Sequence, residues 1–176
     1  MRHRLAFLPE DRKERGLMPK SSVVANASSA ILRELSPRFF LDLARERALV
    51  RDLIERVKVA TASPRLPVRS LSGGNQQKVV LGRWLVRGAK VYILAEPTRG
   101  VDVGAKETIY NLMNELAYEG AGILLLSSDL MEAVGMSDRL LVMRRGRVVQ
   151  ELTGSAISLQ NVLSAAYSEP TLAQAS

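Results

Sequence analysis

The residues best suited to chemistry sit in one stretch, Leu71-Ser72-Gly73-Gly74-Asn75-Gln76-Gln77-Lys78. A hydroxyl residue and two glycines run straight into a segment of helix formers. Serine caps helix starts, and glycines let backbone N–H groups approach a ligand closely. The first N–H groups of a helix have no intrahelical acceptor, and the helix dipole makes that end mildly positive. An anion, most naturally a phosphate, fits there. Downstream, Val91-Tyr92-Ile93-Leu94-Ala95-Glu96-Pro97-Thr98 is an apolar run that ends in an acid, Glu96. This arrangement sets a carboxylate at the mouth of a buried strand.

The two stretches, in this order, resemble the ATPases of ATP-binding-cassette (ABC) transporters. Leu71–Gln77 is similar to the family's signature motif. The Asn75-Gln76-Gln77-Lys78 extension, with Glu96-Pro97-Thr98-Arg99-Gly100-Val101-Asp102-Val103-Gly104-Ala105, resembles the carbohydrate-importer branch. More narrowly, it is similar to the second cassette of fused double-cassette ATPases serving ribose, galactose, xylose, arabinose or autoinducer-2. The resemblance runs from about Leu5 to about Ala166.

The resemblance implies an α/β fold: a partial P-loop NTPase with a predominantly parallel sheet and a helical subdomain that carries the signature. It implies ATP and Mg²⁺ as cofactors of the intact assembly. In the family, Ser72, Gly73, Gly74 and Gln76 would touch the γ-phosphate of an ATP held by the opposite cassette. Glu96 would be the catalytic carboxylate that polarises the attacking water. Glu10, in Pro9-Glu10-Asp11-Arg12-Lys13, stands where the family usually carries a metal-touching glutamine that couples to the membrane subunit. Asp102 lies in a loop that touches the opposite cassette, and it also suits a helix cap. Ser128 replaces the histidine that reaches the γ-phosphate in the wider family. Ala95 replaces the aspartate of the Mg²⁺ shell, and a methyl group cannot bind metal-held water, so no metal ligand is assigned. The implied partners are a first or opposing cassette, membrane permease subunits and, indirectly, a solute-binding protein. No nucleic acid is implied, and the implied place is peripheral, on the cytoplasmic face of the inner membrane.

No Gly-x-x-x-x-Gly-Lys-Ser/Thr phosphate loop (Walker A) occurs in the chain. In the family that loop precedes the strand corresponding to Leu5–Leu8, and its backbone and lysine hold most of the phosphate charge. The chain is therefore expected to be the C-terminal part of a second cassette, a fragment or one piece of a split gene, unable to hydrolyse ATP alone. The alternative is a non-catalytic half-cassette that donates its signature to a partner's ATP. Strands deprived of the phosphate-loop strand and helix should expose edges and apolar faces, with marginal stability.

Composition agrees with one folded domain: 176 residues, 47% hydrophobic and 24% charged. Cysteine is absent and the net charge is +7. The basic residues are scattered and aromatics make up only 5%, which reads as a solvated basic surface rather than a nucleic-acid face. That charge alone suggests a relative acting in translation or DNA repair, against which the Arg-Gly-Val-Asp pattern stands. No apolar stretch has the length of a membrane span.

The elements that must hold these residues follow from pattern. Strands are expected at Leu5–Leu8, Lys90–Leu94 and Gly122–Leu126, the last two buried on both faces. Helices are expected from Ser22, across Phe39–Val59, from the signature to Val86, from Asp102 to Gly120, over Leu130–Val134, and at the end around Leu159, Val162, Leu163 and Ala166. Trp84 is expected to face the core. A hairpin should turn at Arg145-Gly146. The single histidine, His3, is given no role, and Glu169–Ser176 is expected to fray. The domain reading is 1–20 coupling-loop region, 21–88 helical subdomain with signature, 89–152 second half of the ATPase core, and 153–176 C-terminal helix and tail.

Overall fold

The structure, a computed structural model, describes residues 5–37 and 40–167. His3 and Glu169–Ser176 lie outside the described residues. The chain divides into two compact units, one running to Leu126 and one from Ser127.

The first unit is built on a parallel sheet of β1 (Leu5–Leu8), β2 (Val91–Ala95) and β3 (Gly122–Leu126), in that order. Leu5 pairs with Val91, and Val91 with Gly122, so residues of one parity share a face. Ala6, Leu8, Tyr92 and Leu94 are buried on one side. On the other side Phe7 (49%), Val91 (40%) and Leu124 (54%) are exposed. The expectation that β2 and β3 would be buried on both faces is thus corrected. Their apolar runs are suited to a sheet covered on both sides, but one side lies open here. Exposed apolar faces were the other expectation for these strands, and it agrees.

Among the described residues, four α-helices belong to this unit: α1 (Val23–Ser28), α2 (Leu43–Arg56), α3 (Gly73–Val86) and α4 (Val103–Tyr118). Each starts at a side-chain cap: Ser22, Asp42, Ser72 and Asp102. The charged segment after β1 forms a π-helical turn, Arg12–Gly16, which packs on α3. α3 also packs on α1, α2, α4 and β1, so it is the unit's central helix. Val79, Val80 and Leu81 fill its buried stripe, whereas Trp84 is only half-buried. Helix α2 ends where Lys58 takes a left-handed φ of 50°.

The second unit comprises α5 (Leu130–Met136), an antiparallel pair β4 (Arg139–Arg144) and β5 (Arg147–Thr153), and α6 (Leu159–Tyr167). Arg145 and Gly146 both have positive φ, 49° and 76°, which matches the twist of a tight hairpin. Leu140, Val142, Leu152, Val162 and Ala165 form its core.

Candidate phosphate-facing site

The signature turn is held by its own side chains. Ser72 is extended (φ −60°, ψ 160°) and caps α3, its Oγ accepting from the Asn75 N–H at 3.4 Å and from Asn75 Nδ2 at 2.9 Å. Asn75 Oδ1 accepts from the Ala60 N–H at 2.8 Å. Lys78 Nζ donates to the Lys58 carbonyl at 3.1 Å. Two residues of the Asn-Gln-Gln-Lys extension therefore clamp the turn that follows α2. Gln76 Nε2 folds back onto the Leu71 carbonyl at 3.0 Å. Burial pushes the Lys78 ammonium below the usual lysine range, with Lys58 adding to the effect and Asp102 opposing it.

The glycines are demanded by close packing. A Cβ on Gly73 would lie 2.6 Å from an Arg12 guanidinium nitrogen and 3.1 Å from the Gly100 carbonyl. A Cβ on Gly74 would lie 2.6 Å from Ala105 Cβ and 3.1 Å from an Asp102 carboxylate oxygen. The N-termini of α3 and α4 consequently lie side by side. Asp102 caps α4, accepting from the Ala105 N–H at 2.8 Å. Neither helix has an acidic residue in its first turn, but the Asp102 carboxylate already caps α4 and sits beside Gly74, so the α3 end is the one left for an anion.

The segment after β1 grips the same place. Glu10 pairs with Arg99. Arg12 donates to the Arg99 carbonyl at 3.0 Å, the Gly100 carbonyl at 3.4 Å and Gln77 Oε1 at 3.4 Å. Burial lowers the Arg12 pKa, opposed by Asp11, and the guanidinium remains a cation.

Glu96 follows β2 in a strained conformation. Its φ is 49°, a region that costs a non-glycine residue about 1–2 kcal/mol. Its N–H donates to the Leu126 carbonyl at 2.8 Å, and its carbonyl accepts from the Arg99 N–H at 3.2 Å. Backbone strain at a chain reversal just beyond a strand end is the kind of outlier from which a functional position is inferred. Beside it, Ala95 offers only a methyl group. Among the described residues, no three Asp, Glu, His or Cys side chains gather to hold a metal. With a methyl group at residue 95, that position supplies no oxygen ligand for a Mg²⁺ ion.

Of the sequence-derived site residues, Ser72, Gly73, Gly74, Gln76, Glu10 and Asp102 meet around the ends of α3 and α4. The Arg99–Gly100 turn connects them to Glu96. Ser128 is exposed in the second unit, between Ser127 and Asp129, the N-cap of α5. Sequence reasoning gave no site role to Arg12 or Arg99 and placed Asn75 and Lys78 only within the signature stretch. The two acids and two bases of Pro9–Lys13 hinted only at a charged turn.

A sheet of parallel strands, a capped glycine turn at the head of a central helix and an acid after a strand define an α/β cassette core. The model of the ABC transporter family matches residues 1–99, and the chain belongs to that family. It is 44% identical over 164 residues to the ribose import ATP-binding protein of Geobacillus kaustophilus, covering 93% of this chain and 33% of that protein. It is 46% identical over 162 residues to the ribose import ATP-binding protein of Bacillus subtilis, covering 92% and 33%. With the arabinose import ATP-binding protein of Azospirillum brasilense it shares 49% identity over 149 residues, covering 84% and 29%. The chain thus spans about a third of the length of these curated relatives. A solved ATP-binding cassette, a dimer in a post-hydrolysis state bound to ADP and Pi, superposes with a TM-score of 0.72 at 19% identity, covering 86% of this chain and 63% of that one. That likeness gives the fold: an ABC cassette of α/β type with a parallel sheet.

Proposed function

We propose that the chain is part of the ATP-binding component that energises ABC-type import of a sugar or sugar-like solute. Its own contribution is a donor surface: the Gly73 and Gly74 N–H groups, with Ser72 and Gln76, engage the γ-phosphate of an ATP held by an opposing cassette. The observation that carries this reading is the α3 N-terminus, whose first turn holds Gly73 and Gly74 and no acidic residue, with the Asp102-capped α4 N-terminus beside it. Asp102 borders the same surface. Glu96 occupies the position of a water-polarising carboxylate, and Glu10 and Ser128 that of residues flanking the nucleotide. With Ala95 at the metal position and no phosphate loop in the chain, hydrolysis by this chain alone is not expected. Mg²⁺ and the bulk of the ATP contacts belong to the intact assembly.

The identity to ribose and arabinose import proteins supports the transport assignment. Permease subunits are the proposed membrane partner and a solute-binding protein an indirect one, with attachment peripheral at the inner face. No helix among the described residues is long and apolar enough to cross a membrane. The four-part division, with the signature in a helical subdomain at 21–88, goes with this reading.

The test is ATP turnover by a separately expressed first cassette mixed with this chain. Stimulation lost in Gly73→Asp but kept in Glu96→Gln is the expected result. Stimulation that survives Gly73→Asp and disappears in Glu96→Gln would assign this chain the catalytic part instead.

A further inference from the structure

We infer that Arg12 is a positioning residue: its guanidinium staples the signature turn to the Arg99–Gly100 turn, so that the α3 glycines and Asp102 present one rigid surface. This rests on the function proposed above and adds to it a residue outside the signature. Three acceptors from two distant segments converge on one planar group: Gln77 Oε1 from α3, and the Arg99 and Gly100 carbonyls from the turn before α4. Gly73 lacks the Cβ that would otherwise sit 2.6 Å from that group. The signature glycine is therefore what admits the arginine.

Arg12 is itself anchored at both ends. Its backbone opens the π-helical turn Arg12–Gly16, and a Cβ on Gly16 would touch Val80 of α3 at 3.5 Å. The turn is packed against the middle of α3 while the side chain reaches its head. From the other side Glu10 pairs with the Arg99 side chain. Residues 10 and 12 thus hold Arg99 by its guanidinium and by its carbonyl. Asp102 lies two residues beyond Gly100, so tilting the turn would swing the α4 cap away from Gly74.

An ammonium group cannot replace this arrangement. Arginine offers donors in a fixed planar fork, whereas lysine carries one compact head. Arg12→Lys keeps the charge and stem but cannot span acceptors on both segments.

The experiment has two arms. In the first, an opposing cassette with an intact phosphate loop is titrated with this chain at varied ATP. Arg12→Met is expected to lower the maximal turnover about tenfold, the scale of one to two net hydrogen bonds, with the chain concentration for half-stimulation unchanged. Arg12→Lys should fall between it and wild type. In the second arm, amide hydrogen exchange is followed in the chain alone. Arg12→Met should speed exchange of Val101 and Gln76, whose amides bond the Thr98 and Ser72 carbonyls, about tenfold while Tyr92 and Leu94 stay protected.

Wild-type exchange at those amides, together with undiminished stimulation, overturns the inference. If the wild-type chain gives no stimulation, the proposed function fails, and the exchange arm alone decides the role of Arg12. If Arg12→Met loses protection at Tyr92 and Leu94 as well, Arg12→Lys is judged by the same amides: faster exchange confined to the turn supports the staple, and unchanged exchange refutes it.

Discussion

Substituting Gly74 should test the side-by-side seating of α3 and α4 most directly. Carbon atoms pack at about 3.5–4.0 Å, and a Gly74 Cβ would stand 2.6 Å from Ala105 Cβ. The helices must therefore separate by roughly 1 Å, and overpacking of that kind costs about 1–3 kcal/mol. Replacing a helical glycine by alanine returns up to ~1 kcal/mol of backbone entropy. Gly74→Ala should accordingly lose about 1–2 kcal/mol net, and Ala105→Gly about the same through propensity and a lost buried methyl. The double variant keeps one methyl in the shared space and should come within ~1 kcal/mol of wild type, a coupling of about 2 kcal/mol. Urea unfolding with an unchanged slope is the assay. Equal or greater stability in Gly74→Ala would refute the reasoning, and so would a double variant as unstable as the sum of the singles.

Three further outcomes follow from other contacts. Tyr92 is 1% exposed, and burial raises its pKa, with Glu119 adding and Arg56 opposing. A raised folded value contributes stability that is fully present below the unfolded pKa of about 10 and is lost as pH rises beyond it, so Tyr92→Phe should flatten the alkaline decline in the denaturation midpoint. Arg56 bridges Glu115 at 2.7 Å and Glu119 at 3.0 Å, but all three are substantially exposed; Arg56→Ala should cost no more than ~0.5 kcal/mol in the same assay, less in high salt. Phe7 and Leu124 flank Ile93 on the open sheet face, and changing both to Thr should raise the concentration at which light scattering reports self-association, with little loss of folding stability.

Local signals carried most of the elements. β1 and β3 have the bounds their apolar runs suggested, with Pro9 after β1 and Gly120 before and Ser127 after β3 marking the breaks. The helix expected across Phe39–Val59 is shorter because Asp42 caps it, accepting from the Ala44 and Arg45 N–H groups, and a cap of this kind is visible in sequence. Ser72 and Asp102 were legible as caps for the same reason. The contacts of Arg12 were not: its acceptors lie more than sixty residues away, and nothing in Pro9–Lys13 points to them. Asn75 and Lys78 belonged to a motif whose residues suggested phosphate, whereas their side chains are spent on the turn after α2. The strain at Glu96 was equally invisible, since a β-strand followed by Glu-Pro-Thr carries no mark of a left-handed residue.

The register of β1 has a kinetic side. Leu5 pairs with Val91, a partner about ninety residues along the chain, and closing so long a loop is costly before any contact rewards it. The Arg139–Thr153 hairpin joins neighbours across a two-residue turn and has its own small core. Refolding should accordingly begin in the C-terminal hairpin and finish with the parallel pairing of the N-terminal strand.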